Sequence, residues 1–319
     1  MDIPTELAPS HLAVLPLVSF AISFFTSMGG LSGAFLLLPF QMSVLGFTSP
    51  SVSATNQLYN VVAIPGGVYR YVREGRMVWP LVWVVVLATI PGVLIGAWVR
   101  VRWLPDPRNF KVFAGLVLLY IGARLARDLI ARGRRGESGQ GAETRFQELV
   151  ASSRGRTGGP GTGDAEAIPR VRVDSATLRR IRYEFYGERF EFPTVPVFLL
   201  SGLVGVVGGV YGIGGGAILA PFFVAFLGLP IYTVAGATLM GTLVTSVAGV
   251  AFYQGLAPLY PDLAVAPDWR LGLLFGLGGL AGTYCGARCQ KHVPAKVIKW
   301  MVCLVVVATG ATYVFGSLR

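Results

Sequence analysis

Two glycine-rich segments contain the residues most suited to binding chemistry. The stronger is GGVYGIGGGAILAPFF, residues 208–223, and the weaker is GGLSGAFLLLPF, residues 29–40. At a break between two helices, the N–H groups of the following helix point into the break and carry partial positive charge, which suits an anion. The alternative is that these small residues only let two helices pack closely. We predict that the following residues bind an anion: Gly30, Ser32, Gly33, Gly212, Gly214, Gly215 and Gly216.

Uncharged polar side chains follow each glycine segment. The stretch ATNQLYN spans residues 54–60, and ATLMGTLVTS spans 237–246. Positions 56 and 60 are one helical turn apart, as are 238 and 242, so each set can line one face of a helix. Neutral donors suit a permeating anion, because a fixed buried cation would hold it too tightly for release. We predict five further substrate-binding residues, with hydrogen bonding between helices as the alternative role: Thr55, Asn56, Gln57, Thr238 and Thr242.

The composition indicates what kind of protein must position these residues. The chain has 319 residues, of which 53% are hydrophobic and only 13% charged, and its mean hydropathy is +0.62. Long apolar segments recur, several near the ~20 residues that a helix needs to cross a bilayer. The ~10-residue alternation typical of barrel strands is absent from the pattern. The sequence therefore predicts an α-helical integral membrane protein, with no signal peptide because its acidic N-terminus lacks a basic leader.

Other kinds of chemistry are disfavoured. The three cysteines form no CxxC pair and there are only two histidines, so we expect neither a metal nor another cofactor. The net charge of +11 lies in loops, which indicates a bilayer rather than nucleic acid as the partner. The spacing GLSG at 30–33 allows an intramembrane serine protease as an alternative, but neither histidine lies in an apolar segment to serve as its general base.

The two apolar parts of the chain repeat one another. At an offset of 182 residues Gly30 matches Gly212, Gly33 matches Gly215 and Pro39 matches Pro221. Further along, Trp79 matches Trp269 at an offset of 190. We therefore divide the chain into a first membrane repeat at 1–126, a cytosolic and partly disordered linker at 127–194, and a second membrane repeat at 195–319.

Charge in the loops predicts how the repeats are oriented. The linker is rich in arginine and should lie inside, whereas the acidic loop at 260–268 should lie outside. Two apolar segments separate them, and the first has 39 residues, roughly 58 Å as a straight helix and about twice the membrane thickness. It must break and return to the side it entered. We predict an all-α fold of two inverted repeats, each a Gly-broken re-entrant helix pair plus three transmembrane helices. The basic loop at 100–108 disagrees, because it falls outside.

Three further features complete the expectations. The segment RVRVDSATLRRIRYEFYGERFEF, residues 170–192, is suited to a small hairpin or an amphipathic patch, and a sensor or scaffold using it is an alternative function. No charge is expected deep within the spans, since Arg70, Arg73 and Arg288 fall at helix ends. The GxxxG spacings Gly92/Gly96 and Gly282/Gly286 predict close helix packing, and a homodimer through these faces is left open.

The motifs together resemble the sulfite exporter TauE/SafE family of membrane permeases. The similarity is strongest at GVYGIGGGAILAPFF…LGLP…AGATLMGTLVTSVAG, residues 209–249, and recurs more weakly at 29–67. The resemblance implies a secondary transporter rather than an enzyme, in the cytoplasmic membrane of a prokaryote. It implies transport, in the direction of export, of a small sulfur-containing anion such as sulfite or sulfoacetate. Alternating access at a midplane site would follow from the paired broken helices.

Overall fold

The computed structural model describes residues 9–134, 171–185, 187–216 and 218–317. Helices account for most of them. The first part contains α1 (Pro9–Met28), α2 (Ala34–Ser43), α3 (Ser51–Arg73), α4 (Trp79–Arg102) and α5 (Pro107–Arg134). Three strands follow, β1 (Arg172–Ala176), β2 (Arg180–Phe185) and β3 (Glu188–Pro193). The last part contains α6 (Thr194–Tyr211), α7 (Leu219–Leu227), α8 (Ile231–Leu256), α9 (Trp269–Gln290) and α10 (Ala295–Ser317).

Each half begins with a long helix, a break and a short helix. Helix α1 ends just before Gly30, whose φ is +70°, and α6 ends at Gly212, whose φ is +82°. A side chain is strained in this left-handed region, so glycine lets the backbone leave the helix here. Helices α2 and α7 then have only 10 and 9 residues. The sequence prediction that both glycine segments interrupt their helices is confirmed.

The helices have the length and composition of a membrane protein. Among the described residues, three helices are long and apolar enough to cross a bilayer: Trp79–Arg102, Thr194–Tyr211 and Ile231–Leu259. Helix α3 has 23 residues, but a series of buried hydroxyl and amide side chains lowers its hydropathy. Large apolar side chains such as Trp83, Leu203 and Leu277 are exposed on the outer faces of the helices, as expected where lipid is the solvent.

Helices from one half pack mainly against helices from the other. Helix α9 packs against α1 and α3, and α4 packs against α6 and α8. Helix α3 also packs against α8, and α5 against α10. Exchanging each helix of the first half with its counterpart in the second reproduces these main helix–helix contacts. The pattern of main helix–helix contacts is therefore unchanged when the two halves are exchanged.

The contacts also give the relative direction of the helices. Along α1 and α9 residue numbers rise together, because Pro16 meets Gly278 and Phe24 meets Gly286. Numbers also rise together along α3 and α9, where Leu58 meets Gly272 and Gly66 meets Leu280. Along α3 and α8 they run oppositely, since Gln57 meets Gly249 and Tyr71 meets Gly236. Helices α1, α3 and α9 thus share one direction and α8 has the other.

The GxxxG glycines pack between helices of the same chain. A Cβ atom at Gly96 would lie 2.1 Å from the Val206 carbonyl oxygen of α6, and one at Gly286 would lie 2.3 Å from that of Phe24 in α1. The backbones approach so closely that only glycine fits, which confirms the predicted packing role. These faces are therefore occupied within the chain and are not free to form a homodimer.

A small antiparallel sheet precedes the second half, in the order β1-β2-β3. It confirms that part of 170–192 is ordered and adds an exception to the all-α prediction. The N–H of Val171 donates to the Gly75 carbonyl between α3 and α4 (2.9 Å). The Tyr183 hydroxyl bonds the Thr233 hydroxyl at the start of α8 (3.1 Å), and burial raises the pKa of Tyr183.

The sheet therefore lies at the end of the helices where α4, α6 and α8 begin. Helix α5 continues to Arg134, beyond the predicted start of the linker at 127. Most of the linker segment expected to be disordered lies outside the described residues.

Candidate functional site

The first break is capped by its own serine. The Ser32 hydroxyl accepts a hydrogen bond from the N–H of Ala34 (3.1 Å), the first residue of α2. The same hydroxyl donates to the side-chain oxygen of Asn60, in α3. Ser32 and Gly33 are fully enclosed by protein. Ser32 therefore both stabilises the start of α2 and ties the break to α3.

The second break is held by a neighbouring helix instead. The N–H of Gly215 donates to the Thr245 hydroxyl of α8 (3.0 Å). Around Gly212 the turn repeats that of the first break, since the N–H of Ile213 donates to the Gly208 carbonyl (3.0 Å) as that of Leu31 does to the Thr26 carbonyl (3.1 Å). The two breaks thus share a backbone turn but differ in how they are supported.

Asn60 connects the two breaks. Its side-chain oxygen accepts from Ser32 in the first break, and its amide nitrogen donates to the Ile213 carbonyl in the second (3.0 Å). The same nitrogen also donates to the Ser246 hydroxyl of α8 (3.1 Å). Asn60 lies close to the middle of α3, so the breaks meet about halfway along the long helices.

Four backbone amides at the breaks have no hydrogen-bond acceptor among the described residues: those of Ser32, Gly33, Gly214 and Gly216. Buried N–H groups are nearly always paired, and leaving one unpaired is costly. All four residues are buried. These donors lie at the N-terminal ends of α2 and α7, where the helix dipole adds partial positive charge. The arrangement can therefore donate hydrogen bonds to the oxygen atoms of an anion.

The predicted threonines of α8 lie beside the breaks. The Thr238 hydroxyl donates to the carbonyl of Gly30 (3.1 Å) as well as to its own helix. The Thr242 hydroxyl donates to the Thr238 carbonyl (2.9 Å). A Cβ atom at Gly216 would lie 2.1 Å from the Thr238 carbonyl oxygen. Thr238 therefore contacts the first break, and the backbone of α8 closes against the second.

The predicted residues of α3 have three different environments. The Asn56 amide accepts from Gln41 (2.9 Å) and donates to the Ala34 carbonyl (3.3 Å), so it lies against α2. The Thr55 hydroxyl accepts from the N–H of Asp268 (2.8 Å), in the loop before α9, rather than from either break. Gln57 is fully buried, and neither polar atom of its side chain has a hydrogen-bond partner. Asn56 is therefore brought to the first break, whereas Thr55 is not.

Both breaks are closely packed. A Cβ atom at Gly33 would lie 2.1 Å from the Tyr59 hydroxyl, and one at Gly215 would lie 2.2 Å from the Cβ of Thr89. Both glycines are buried with these neighbours in place. The structure thus holds the breaks closed to solvent.

Sequence reasoning missed several residues. It named Asn60 among the polar side chains of α3 but did not include it in the site. It expected no charge deep within the spans and did not name two buried arginines near helix ends: Arg100, which is fully buried in the last turn of α4, and Arg76, which lies between α3 and α4 and is 1% exposed. The sequence did contain a signal for Arg100, because the basic loop at 100–108 conflicted with the predicted orientation. The first arginine of that loop is Arg100, which is surrounded by protein rather than by solvent.

The geometry at Ser32 does not favour a serine protease. The Ser32 hydroxyl donates to an amide oxygen, and an amide has too little basicity to take its proton as a general base. Within the described part of the chain, no group of three His, Cys, Asp or Glu residues is placed to hold a metal ion.

A comparison with protein families gives one match. The family model described as "Sulfite exporter TauE/SafE" matches residues 15–313, which cover both helical halves. Neither a curated protein nor a solved structure matches the chain.

Proposed function

We propose that this chain, which belongs to the sulfite exporter TauE/SafE family of membrane permeases, exports a small sulfur-containing anion by alternating access. Sulfite, sulfoacetate and related organosulfur anions are the substrate class. The site is the region where the two breaks meet, and the donors are the predicted residues at the breaks together with Asn60. The protein acts as a multi-pass transporter in the cytoplasmic membrane of a prokaryote.

The hydrogen bonds of Asn60 carry this proposal. A single side chain bonds both breaks, at Ser32 and at Ile213, so a shift of one half relative to the other must change its partners. Unpaired amides lie on both sides of it, at Gly33 and at Gly214. An anion at this position would satisfy donors from both halves at once. Its release to one side would follow when the halves separate on that side.

The direction of the helices supports two inverted repeats. Helices α1 and α3 share the direction of α9, while α8 is antiparallel to α3. Helix α4 runs with α6, because Thr89 meets Gly205 and Val93 meets Gly209. Helix α4 also runs with α8, since Val85 meets Gly241 and Ala97 clusters with Tyr253. Helices α1, α3 and α4 thus each run opposite to their counterparts α6, α8 and α9.

The same directions support the re-entrant hairpins. Helices α1 and α3 run in parallel, so the chain between them has to return to the end where α1 began. Only α2, with 10 residues and about 15 Å of rise, and the loop after it are available for this return. The pair α1 and α2 therefore enters and leaves on one side, and α6 and α7 do so on the other. The repeats at 1–126 and 195–319, joined by the linker, are the two units.

The membrane potential is a sufficient driving force for export. An anion that moves outward across a membrane with a negative interior gains about 2.3 kcal/mol per charge per 100 mV. A tightly packed neutral site that releases its ligand when the halves move suits such a cycle. No charged side chain among the described residues lies at the breaks to hold the anion permanently.

Transport by the purified protein tests the proposal. Liposomes containing the protein, preloaded separately with labelled sulfite, sulfate, thiosulfate, sulfoacetate or taurine, should release at least one sulfur-containing anion faster than protein-free liposomes. The release should accelerate when an outward driving potential is imposed with potassium and valinomycin. Release at the protein-free rate for every compound would overturn the proposal and favour the scaffold or sensor alternative, whose structural basis is the sheet docked on α8.

A further inference from the structure

The two ends of the helix bundle carry equivalent tyrosines. The Tyr71 hydroxyl, near the end of α3, donates to the Ser27 carbonyl of α1 (3.2 Å). The Tyr253 hydroxyl, near the end of α8, donates to the Gly209 carbonyl of α6 (3.2 Å). The two pairs are related by the 182-residue repeat. The Arg76 guanidinium lies over the Tyr71 ring (4.5 Å), and Tyr253 clusters with Ala97 and Val101, next to the buried Arg100.

At the end next to the sheet, the arginine is neutralised. Arg76 forms an ion pair with Glu74 (2.7 Å) and donates to the Gln290 side-chain oxygen (2.5 Å) and the Ala287 carbonyl (3.2 Å). Lys291 lies 3.7 Å from the same carboxylate. The positive charge of Arg76 therefore has a counterion, and both of its terminal nitrogens bond protein groups.

At the opposite end, the arginine has no counterion. Arg100 lies in the last turn of α4, about 30 Å from the start of that 24-residue helix. Its guanidinium donates to the backbone carbonyls of Leu104 and Thr48 and lies over the ring of Phe110. Its Nε has no acceptor, and no described Asp or Glu forms an ion pair with it. Two of its five N–H donors are thus used.

Burying such a charge without a counterion is expensive. A buried cation is retained where it is paired or where it serves a function, and intramembrane arginines commonly mark ion pathways. The second-half counterpart of Arg100, at the 190-residue offset, is the neutral Gln290, which serves as an acceptor for Arg76. Arg100 is therefore positively charged at a position where the second half of the repeat has an uncharged side chain.

A second unpaired group lies between Arg100 and the breaks. Ala54 of α3 clusters with Ala97 and Val101 of α4, so the first turns of α3 lie level with Arg100. Gln57 comes one turn later and precedes Asn60 by another turn. Its fully buried amide has no partner on either polar atom, and it packs against Gly249 of α8. Along α3, Gln57 thus adds an amide without a hydrogen-bond partner between the level of Asn60 and the level of Arg100.

We infer that Arg100, with Gln57 between it and Asn60, forms a second anion-binding position at the end of the molecule remote from the linker. This inference rests on the proposed function and refines it. The guanidinium supplies planar N–H donors suited to an oxyanion, and the Gln57 amide supplies donors midway. The anion moves from the neutral site at the breaks to this position, where backbone carbonyls already occupy two of the guanidinium donors and so limit how tightly the anion is held before it leaves the protein.

Equilibrium binding of sulfite tests the second position. The probe is titrated calorimetrically into the full-length protein in a non-ionic detergent free of phospholipid, so that no headgroup phosphate competes. We expect Arg100→Gln to weaken sulfite binding at least tenfold and Gln57→Met to weaken it about threefold. The matched control is Arg102→Gln, two residues along the same helix, where the side chain is exposed and affinity should not change.

The charge-preserving variant Arg100→Lys separates binding from structure. A lysine keeps the cation but loses the planar donors and the bonds to both carbonyls, so binding through the charge predicts a smaller loss of affinity than in Arg100→Gln, whereas a structural role predicts an equal loss. Equal losses in Arg100→Lys and Arg100→Gln would mean a structural role and would overturn the inference. So would wild-type affinity in Arg100→Gln. If sulfite neither binds to nor is transported by the wild-type protein, the proposed substrate fails instead, and the second position fails with it.

Discussion

The two breaks have the same backbone turn but obtain their polar support from different places. In the first, Ser32 caps the following helix with its own hydroxyl and bonds Asn60. In the second, the equivalent residue is Gly214, which has no side chain, and Thr245 of α8 supplies the hydroxyl that accepts from Gly215. The counterpart of Thr245 in the first half is Ala63, which has no hydroxyl to offer.

This difference shows that two copies of a repeat can keep the same backbone turn while different residues supply the hydroxyl groups that support it. The first break is linked mainly through α3, whose Asn60 it contacts directly. The second is held by α8 through Thr245 and lies against the Thr242 side chain. The breaks should therefore respond differently to substitutions of the same kind.

The largest expected effect is at Gly215. A Cβ atom there would lie 2.2 Å from the Cβ of Thr89, and neither atom can move away by side-chain rotation. We expect Gly215→Ala, and still more Gly215→Val, to abolish anion flux in liposomes while leaving membrane insertion intact. Gly202→Ala in α6 is the control, because its nearest contact would be an ordinary 3.5 Å. Wild-type flux in Gly215→Val would remove the second break from the site.

Gly33→Ala should reduce flux less than the Gly215 variants, and further substitutions of its neighbours should partly restore that flux. The new methyl group would meet the hydroxyl of Tyr59 at 2.1 Å and that of Ser23 at 2.7 Å, and overpacking of this kind costs about 1–3 kcal/mol. We expect at least a tenfold loss of flux. Adding Tyr59→Phe and Ser23→Ala, which removes both hydroxyls, should restore a substantial part of it. The Tyr59→Phe/Ser23→Ala double variant, which keeps Gly33, is the control and should be active. If it is active but the triple variant recovers no flux, overpacking is not the cause of the loss in Gly33→Ala.

Ser32→Ala should reduce affinity and stability together. It leaves the Asn60 oxygen without its Ser32 donor and removes the acceptor for the N–H of Ala34, a combined cost of about 1–3 kcal/mol. We expect a several-fold weaker apparent affinity for the anion and a lower thermal midpoint. The same variant tests the protease alternative, since complete retention of a proteolytic activity would exclude Ser32 as its nucleophile. Unchanged affinity would contradict the binding role.

Thr245→Val should have the smallest effect. It removes the acceptor of the Gly215 N–H but keeps the side-chain shape, so the second break acquires a free amide as at Gly33. The expected loss of stability is about 1 kcal/mol, measured as a lower thermal midpoint in detergent. Thr233→Val, at the other end of α8, should leave affinity at the breaks unchanged. A collapse of flux in Thr245→Val as severe as in Gly215→Val would show that the breaks depend on this bond far more than the comparison implies.

Much of the fold could be predicted because it depends on local chemistry. Glycines in an overlong apolar segment locate the helix breaks, and matched residues in the two halves predict the repeat. The GxxxG spacings predicted close packing, which the contacts of Gly96 and Gly286 confirm. These signals depend on local backbone geometry and on sequence identity between the halves, so they can be read without knowing which helices pack together.

The site residues were harder to predict because their roles depend on packing between helices. Thr55 and Asn60 have similar polar character and lie in the same helix. Thr55 bonds the loop before α9, and Asn60 bonds both breaks. Helical spacing alone does not determine which side chain faces a partner from the other half. Arg100 escaped prediction for the same reason, since its surroundings include Phe110 of α5 and Thr48, 52 residues earlier in the loop before α3.

Binding to an Asn60 variant tests the central claim most directly. Asn60→Leu keeps the approximate shape of the side chain and removes the hydrogen bonds of Asn60 to both breaks, at Ser32 and at Ile213. By calorimetric titration, the anion that the wild-type protein transports should bind Asn60→Leu at least tenfold more weakly, whereas Asn109→Leu, at an exposed position of α5, should bind it normally. Wild-type affinity in a folded Asn60→Leu protein would contradict the claim that the anion binds where the two breaks meet.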